Sequence, residues 1–134
     1  MTMTTTTPEL ETTRTLLEAA DTDISAFFAL FSTDCAFRMG NNDVVTGREN
    51  IQAWVATYLR SVAGMRHVIL EEFTSGNITA LRVEVTYTMQ NGEEFTLPAV
   101  TRTRVENGAI TEYLIFMDVS PVVAATSGQA IHPG

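Results

Sequence analysis

The chain has 134 residues, of which 45% are hydrophobic and 18% are charged. That length and balance are typical of one globular domain and exclude a disordered protein, and no apolar run approaches the roughly 20 residues that cross a bilayer. Sixteen acidic and eight basic residues leave a net charge of −8, and the basic residues, all Arg, are scattered singly, which excludes a basic stripe for nucleic acid.

Missing and rare residue types exclude further classes of chemistry. The chain contains no Lys, which excludes a Schiff-base mechanism and the usual attachment of pyridoxal phosphate. Cys35 is the single cysteine, so there is no intrachain disulfide and no Cys/His metal cluster, and we expect it to be a small buried hydrophobic residue. No basic residue precedes Arg14 and no apolar stretch opens the chain, so we expect a cytoplasmic protein with no membrane partner.

The start of the chain predicts a disordered segment and two helices. Residues 1–8 are rich in Thr and have little to bury, so we expect them to be disordered. Across residues 9–20 apolar side chains recur every three or four positions, as they do on one face of a helix. Asp21 or Thr22 is expected to cap a second helix over residues 24–31, which carries too many aromatic residues to face solvent.

A short strand, a turn and a third helix come next. Residues 35–39 are expected to form the strand, and residues 40–43 are a cluster of turn-forming residues. Thr46 and Glu49 have the spacing of a capping box at the start of a helix, and Gly64 is expected to stop it. The apolar face of this helix comprises Ile51, Trp54, Val55, Tyr58, Leu59 and Val62.

From Met65 onward the hydrophobic period changes to two. Four strand-like runs follow, at residues 66–74, 78–90, 94–106 and 109–119. Asn91-Gly92 and Asn107-Gly108 separate the later runs and are strong signals for hairpin turns. Helices followed by a strand meander predict one α+β domain over residues 9–121, with helices covering one face of an antiparallel sheet, and residues 122–134 as a flexible tail.

Alternation along the strands predicts which side chains face the helices. In the second long strand the apolar set is Leu81, Val83, Val85, Tyr87 and Met89, so Tyr87 is expected to point inward. In the third the less polar set is Phe95, Leu97, Ala99, Thr101, Thr103 and Val105. The last strand separates its faces less cleanly, and Asp118 stands out as an acid near the end of a hydrophobic run.

Several segments resemble a known superfamily across residues 9–121. They are Ala29-Leu-Phe-Ser-Thr-Asp34, Val45-Thr-Gly-Arg-Glu-Asn-Ile51, Leu97-Pro98, Gly108-Ala-Ile110 and Phe116-Met-Asp118-Val-Ser-Pro121. Together they resemble the SnoaL-like, ketosteroid-isomerase-like branch of the nuclear transport factor 2-like fold. The resemblance implies a cone-shaped, curved antiparallel sheet covered by three helices and enclosing one apolar pocket. The group includes ketosteroid isomerases, limonene epoxide hydrolases, polyketide cyclases and dehydratases.

The catalytic residues of the two best-known relatives have no counterpart in this sequence. Ketosteroid isomerases carry two catalytic aspartates where the resemblance aligns Met39 and Thr101. Epoxide hydrolases of this fold use an Arg-x-Asp pair and a Tyr-x-Asn pair, where this chain has Thr101-x-Thr103 and Phe37-x-Met39. The resemblance therefore predicts the fold and leaves the reaction open.

Four residues remain as candidates for catalysis: His67, Asp118, Tyr87 and Asn41. A strand histidine beside an inward aspartate makes a base that the carboxylate orients, so we expect His67 and Asp118 to interact at the pocket, directly or through one bound molecule. Tyr87 and Asn41 can donate to an oxyanion such as an enolate. The alternative, in which His67 and Asp118 are hydrogen-bonded structural residues near the pocket mouth, stays open.

These residues favour a cofactor-independent isomerase, cyclase or dehydratase that moves a proton on a small hydrophobic carbonyl compound. The alternative is a non-catalytic protein that binds a small ligand in the same pocket. We expect neither a metal nor an organic cofactor. The expected pocket walls are Phe28, Phe31, Met39, Trp54, Tyr58, Leu97, Thr101, Thr103 and Phe116.

The outer face of the sheet predicts an assembly. It is expected to carry Arg82, Glu84, Thr86, Arg102 and Arg104, which stay exposed unless a partner covers them. The resemblance implies pairing through this sheet, so we expect a homodimer in which interleaved Arg and Glu residues set the register.

Overall fold

The computed structural model describes residues 6–127, and within them the chain forms four helices and six strands. The helices are α1 (Pro8–Thr22), α2 (Ile24–Ala29), α3 (Arg48–Tyr58) and α4 (Ser120–Ser127). The strands are β1 (Phe31–Met39), β2 (Val45–Thr46), β3 (Val62–Ser75), β4 (Ile78–Met89), β5 (Glu94–Glu106) and β6 (Ala109–Phe116). Most of the predicted disordered segment and the end of the predicted tail, residues 1–5 and 128–134, lie outside the described residues. None of the described helices is both long and apolar enough to cross a membrane.

Side chains cap both N-terminal helices. The Thr7 hydroxyl accepts a hydrogen bond from an amide in the first turn of α1, and Pro8 begins that helix. The Asp23 carboxylate accepts from two amides in the first turn of α2. The prediction that Asp21 or Thr22 caps α2 was therefore wrong, and the Asp21 carboxylate is bound to β3 instead.

The start of α3 also differs from the prediction. Gly47, with a φ of 99°, is the N-terminal cap, and no side chain makes a capping hydrogen bond there. Thr46 belongs to the two-residue strand β2 and pairs with Ala36, so its predicted capping box with Glu49 was wrong. The helix ends before Gly64, which lies in β3.

The strands form one sheet in the order β2-β1-β6-β5-β4-β3. Neighbouring strands are antiparallel except β1 and β6, which run parallel, so the sheet is not wholly antiparallel as predicted. Parallel strands need a long connection, and here most of the chain lies between them. The predicted hairpins at Asn91-Gly92 and Asn107-Gly108 are confirmed, and Asn107 and Gly108 both have positive φ, as a type I′ turn requires.

The inner face of the sheet packs under α1, α2 and α3, and its side chains are those that the alternation predicted. Every member of the apolar set of β4 is buried: Leu81, Val83, Val85, Tyr87 and Met89. The buried residues of β5 are Ala99, Thr101, Thr103 and Val105. Cys35 on β1 is also completely buried, and burial raises the pKa of its thiol to about 12.

The chain after β6 forms a turn and a further helix. The strand ends at Phe116, three residues before the predicted end. The Asp118 carboxylate accepts from the amide and the hydroxyl of Ser120, at 3.1 and 2.7 Å, in the turn before α4. Val122 is completely buried, so the first part of the predicted flexible tail is a packed helix.

Candidate functional site

A cavity of about 40 Å³ lies between the helices and the inner face of the sheet. Its walls comprise Ala20, Ile24, Phe27, Phe37, Met39, Val55, Tyr58, Leu59, Met65, His67, Val85, Tyr87, Thr101, Tyr113, Ile115 and Met117. Five of the residues predicted for the site therefore line it, namely Met39, Tyr58, His67, Tyr87 and Thr101. The volume admits about three water-sized groups, whereas pockets that enclose drug-sized ligands measure roughly 300–1,000 Å³.

Six predicted wall residues lie elsewhere, three of them in aromatic packing. Phe28 and Phe31 pack edge-on against Phe27, with ring centroids 5.1 and 5.2 Å away, and are core residues behind the cavity wall. Trp54 stacks on Tyr58, with centroids 5.4 Å apart, and does not itself line the cavity. These three rings support the wall without forming it.

The other three misplaced wall residues lie on the last two long strands. The Thr103 hydroxyl is 2.7 Å from that of Thr13, and the pair joins β5 to α1. Leu97 is half-buried on the inner face but does not line the cavity. Phe116 points outward and is 57% exposed, because Tyr113 and Ile115 occupy the inward positions of β6.

The His67 ring pairs with Asp21, not with Asp118, so the predicted pairing was wrong. His67 Nδ1 lies 2.6 Å from one carboxylate oxygen of Asp21, and the His67 amide donates to the other oxygen at 2.8 Å. Both side chains are largely buried, with 9% and 17% of their surfaces exposed. His67 lines the cavity and also an outer groove together with Asp21, so its ring forms part of the wall between the two.

Sequence reasoning missed Asp21 because its partner is 46 residues away and meets it only when α1 packs on β3. One signal in the sequence pointed to it. Asp21 lies in the last turn of α1, where the helix dipole disfavours a negative charge, and that turn contains no basic residue. An acid placed against the dipole indicates a partner outside the helix.

All three tyrosines of the chain line the cavity. Tyr58 and Tyr87 share a hydrogen bond, with 3.2 Å between their hydroxyl oxygens. Burial raises the pKa of Tyr58 and of Tyr113, and it raises the pKa of Tyr87 well above its usual value. The hydroxyls therefore stay neutral at physiological pH. Because Tyr58 donates its proton to Tyr87, the Tyr87 hydroxyl can donate its own proton to a bound molecule.

Asp118 and Asn41 lie together in a different place. Both line an open surface cleft of about 640 Å³ beside the start of α4, and neither lines the cavity that holds His67 and Tyr87. Hydrogen bonds from the side chain and backbone of Ser120 lower the pKa of Asp118. The predicted catalytic set is thus divided between an inner cavity and an outer cleft.

A second open cleft adjoins the cavity on the helix side. Its volume is about 550 Å³, and it shares five wall residues with the cavity: Ala20, Ile24, Val55, Leu59 and Met65. These shared side chains are all apolar, so part of the wall between the cavity and the cleft is apolar. Within residues 6–127 no group of three His, Cys, Asp or Glu side chains is placed to bind a metal ion, and the absence of metal and cofactor stays a prediction.

Comparison with known proteins identifies the fold and the family. The model of the SnoaL-like domain family matches residues 13–113, and no curated protein matches the chain. Among solved structures, a protein that bears the name SnoaL-like polyketide cyclase, from Jannaschia sp. CCS1, is 17% identical, with 96% of this chain and 99% of that chain covered and a TM-score of 0.78.

Two further solved structures contain small molecules. A hypothetical protein with a ketosteroid isomerase-like fold from Catenulispora acidiphila DSM 44928, in complex with trimethylamine, is 23% identical, with 96% of this chain and 100% of that chain covered and a TM-score of 0.75. TerC, co-crystallised with polyporic acid, is 18% identical, with 90% and 99% covered and a TM-score of 0.76. At these identities the likeness establishes the shared fold.

Proposed function

The chain belongs to the SnoaL-like domain family, and on that premise we propose that it binds a small carbonyl compound in the inner cavity and moves a proton on it without a cofactor. One observation carries the proposal. The His67 imidazole is the only nitrogen base among the described cavity walls, and it lines the same largely apolar space as neutral tyrosine hydroxyls.

Each group has a distinct role in the proposed reaction. His67 Nε2 takes a proton from the carbon beside the carbonyl, and the electrons of that C–H bond form the C=C bond of an enolate. Tyr87, whose hydroxyl oxygen accepts the Tyr58 proton, donates its own hydroxyl proton to the enolate oxygen as the negative charge develops there. In a substrate with a β,γ double bond the enolate is conjugated, and the imidazolium returns the proton to the γ carbon, which completes an isomerisation. If the enolate carbon instead attacks a second carbonyl, the imidazolium protonates the alkoxide that forms, which completes a cyclisation. If the substrate carries a β-hydroxyl, the imidazolium protonates that group as its C–O bond breaks, and it leaves as water in a dehydration.

The size of the cavity restricts the substrate in this conformation. About 40 Å³ holds a molecule of only a few non-hydrogen atoms, and a larger one requires the wall shared with the adjoining cleft to open. Structures of the same fold contain ligands as different as trimethylamine and polyporic acid, which supports a small-molecule site whose size varies. The small, largely apolar space equally favours the second candidate, a non-catalytic ligand-binding protein.

Deuterium exchange separates the two candidates. Wild-type protein in deuterated buffer is expected to incorporate deuterium beside the carbonyl of acetone, butanone or cyclopentanone faster than buffer alone, as followed by proton NMR. His67→Gln is expected to lower the rate about 100-fold or more, because general bases contribute roughly 10²–10⁴-fold. His132→Gln, which changes the other histidine, is the matched control and is expected to keep the rate.

Two results would contradict the enzymatic proposal. Binding of these ketones without exchange would favour the ligand-binding protein. Equal exchange by wild type and His67→Gln would show that His67 is not the base.

We further propose a homodimer formed through the outer face of the sheet. That face carries the predicted charged residues and, among them, five exposed apolar side chains: Val68, Leu70, Phe73, Val100 and Phe116. Arg82 pairs with Glu71 at 2.7 Å, and Arg102 pairs with Glu112, so the charges are largely satisfied within one chain. Burial of the apolar residues supports association, and a cytoplasmic location stays a prediction.

A further inference from the structure

We infer that Asp21 is a positioning residue that holds the neutral His67 ring in its Nδ1–H tautomer and so presents the Nε2 lone pair to the cavity. The use of that lone pair in catalysis rests on the proposed function, whereas the tautomer does not. From the sequence we expected Asp21 only to cap a helix.

The two hydrogen bonds determine which ring nitrogen carries the proton. An ionised carboxylate only accepts hydrogen bonds, so His67 Nδ1, at 2.6 Å from Asp21, must be a donor. A neutral imidazole has one N–H group, which leaves Nε2 without a proton. Because the two nitrogens lie on opposite sides of Cε1, Nε2 is directed away from Asp21, and the hydrogen bonds of His67 to the described residues use its amide and Nδ1 only.

Asp21 has no competing cationic partner among the described residues. Arg14 lines the same outer groove, but its Nε and Nη2 atoms bind the Glu72 carboxylate at 2.6 and 2.7 Å, and its Nη1 atom binds Glu11. The last turn of α1 contains no basic residue. The Asp21 carboxylate is therefore committed to His67 through both of its oxygens.

Substitution by Asn tests this arrangement, because it keeps the size and shape of the side chain. The Asn amide has one accepting oxygen and one donating NH₂ group, so it cannot accept from both the amide and the ring of His67. When its oxygen accepts from the His67 amide, its NH₂ group faces Nδ1 and favours the Nε2–H tautomer. That tautomer places a proton where the proposed reaction needs a lone pair.

Two-bond nitrogen–proton NMR correlation spectra at alkaline pH report the tautomer of each histidine directly. The His67 signals are assigned by comparison with His132→Gln. We expect wild type to show the Nδ1–H pattern and Asp21→Asn to lose it in favour of Nε2–H. Asp23→Asn is the matched control, since it removes the same charge two residues away, retains a good helix cap and does not contact His67.

Each outcome decides the inference. An Nε2–H pattern in wild type overturns it, and so does an unchanged Nδ1–H pattern in Asp21→Asn. The wild-type spectrum remains decisive if Asp21→Asn fails to fold. With the ketone probes, Asp21→Asn is expected to lower kcat about 100-fold or more while KM is kept, because the geometry survives and the base is lost. Absence of turnover in wild type would reject the proposed function and leave the tautomer result standing.

Discussion

The tyrosine hydroxyls give the cavity most of its polar character, and their neutrality depends on burial. Tyr58, Tyr87 and Tyr113 all have raised pKa values, each chiefly because the surrounding protein excludes water from the phenolate. An unfolded chain exposes the same groups to water, where a phenol loses its proton near pH 10. The difference between the two states links proton release to unfolding.

We expect the free energy of unfolding to fall as pH rises above about 10. Above that pH the unfolded chain binds fewer protons than the folded one. The stabilisation that the buried, protonated tyrosines contribute is fully present at lower pH and is therefore lost progressively as the pH rises. Urea unfolding measured at increasing alkaline pH checks the slope, and phenolate absorbance is expected to appear together with unfolding. Tyr87→Phe should reduce the slope. Phenolate absorbance with an ordinary midpoint in a protein that is still folded would contradict this expectation.

Residue positions could be predicted where they follow from local alternation and not where they depend on packing. The inward placement of Tyr87 and Thr101 follows from a period of two along one strand. The partner of His67 does not, because Asp21 reaches it only after α1 has packed on β3. Phe116 was placed on the wrong face because both faces of β6 are apolar in sequence.

The chain at the end of β1 lies in close contact with the chain that leaves β6. The Gly40 amide donates to the Ile115 carbonyl at 2.8 Å, and Gly40 has a φ of 57°. A Cβ atom at this position would lie 2.9 Å from the Met117 carbonyl oxygen, closer than real Cβ contacts allow. Glycine is required here both for the left-handed backbone and for the close approach.

Gly40→Ala is expected to destabilise the protein by about 1–3 kcal/mol more than Gly76→Ala, because it adds a backbone clash to the same conformational strain. Gly76 is the matched control, since its φ is 60° and a Cβ atom there meets nothing within 4 Å. Urea unfolding of both variants measures the difference. Equal losses of stability would show that β1 moves aside at little cost.

At the level of elements, local turn chemistry was predictable and long-range pairing was not. The Asn-Gly turns specify hairpins within a few residues, and both were found. The parallel contact of β1 with β6 depends on strands separated by most of the chain. The predicted capping box at Thr46 failed because pairing of that residue with Ala36 draws it into the sheet. Each of these wrong predictions concerns a residue or strand whose position depends on contacts with distant parts of the chain.

Within residues 6–127 no helix covers the outer face of the sheet, and on this face Val100 lies directly opposite Phe116 in the register of β5 and β6. Arg82 sits opposite Val100 on the other side, so apolar and charged side chains alternate across the face. Two copies that bring such faces together bury the apolar residues and can exchange ion-pair partners.

Phe116→Glu is expected to turn the proposed homodimer into a monomer, because it places an uncompensated charge beside Val100 among the exposed apolar residues of this face. Light scattering at tens of micromolar protein measures the mass. Val44→Glu is the control, since Val44 is 54% exposed in the loop before β2, away from this face. A wild-type mass of one chain would reject the homodimer. A dimeric Phe116→Glu variant would show that the dimer contact does not involve this face.

The cavity wall is formed by many residues and the proposed base by few, and this difference has an evolutionary consequence. The cavity wall comprises many core residues on helices and strands, whereas within the described residues the proposed base and the carboxylate that binds it are two side chains, those of His67 and Asp21. Replacement of those two residues removes the proposed base and leaves the apolar packing of the core in place. Selection can therefore preserve the fold and its cavity, while related proteins gain, lose or change a reaction through a few substitutions.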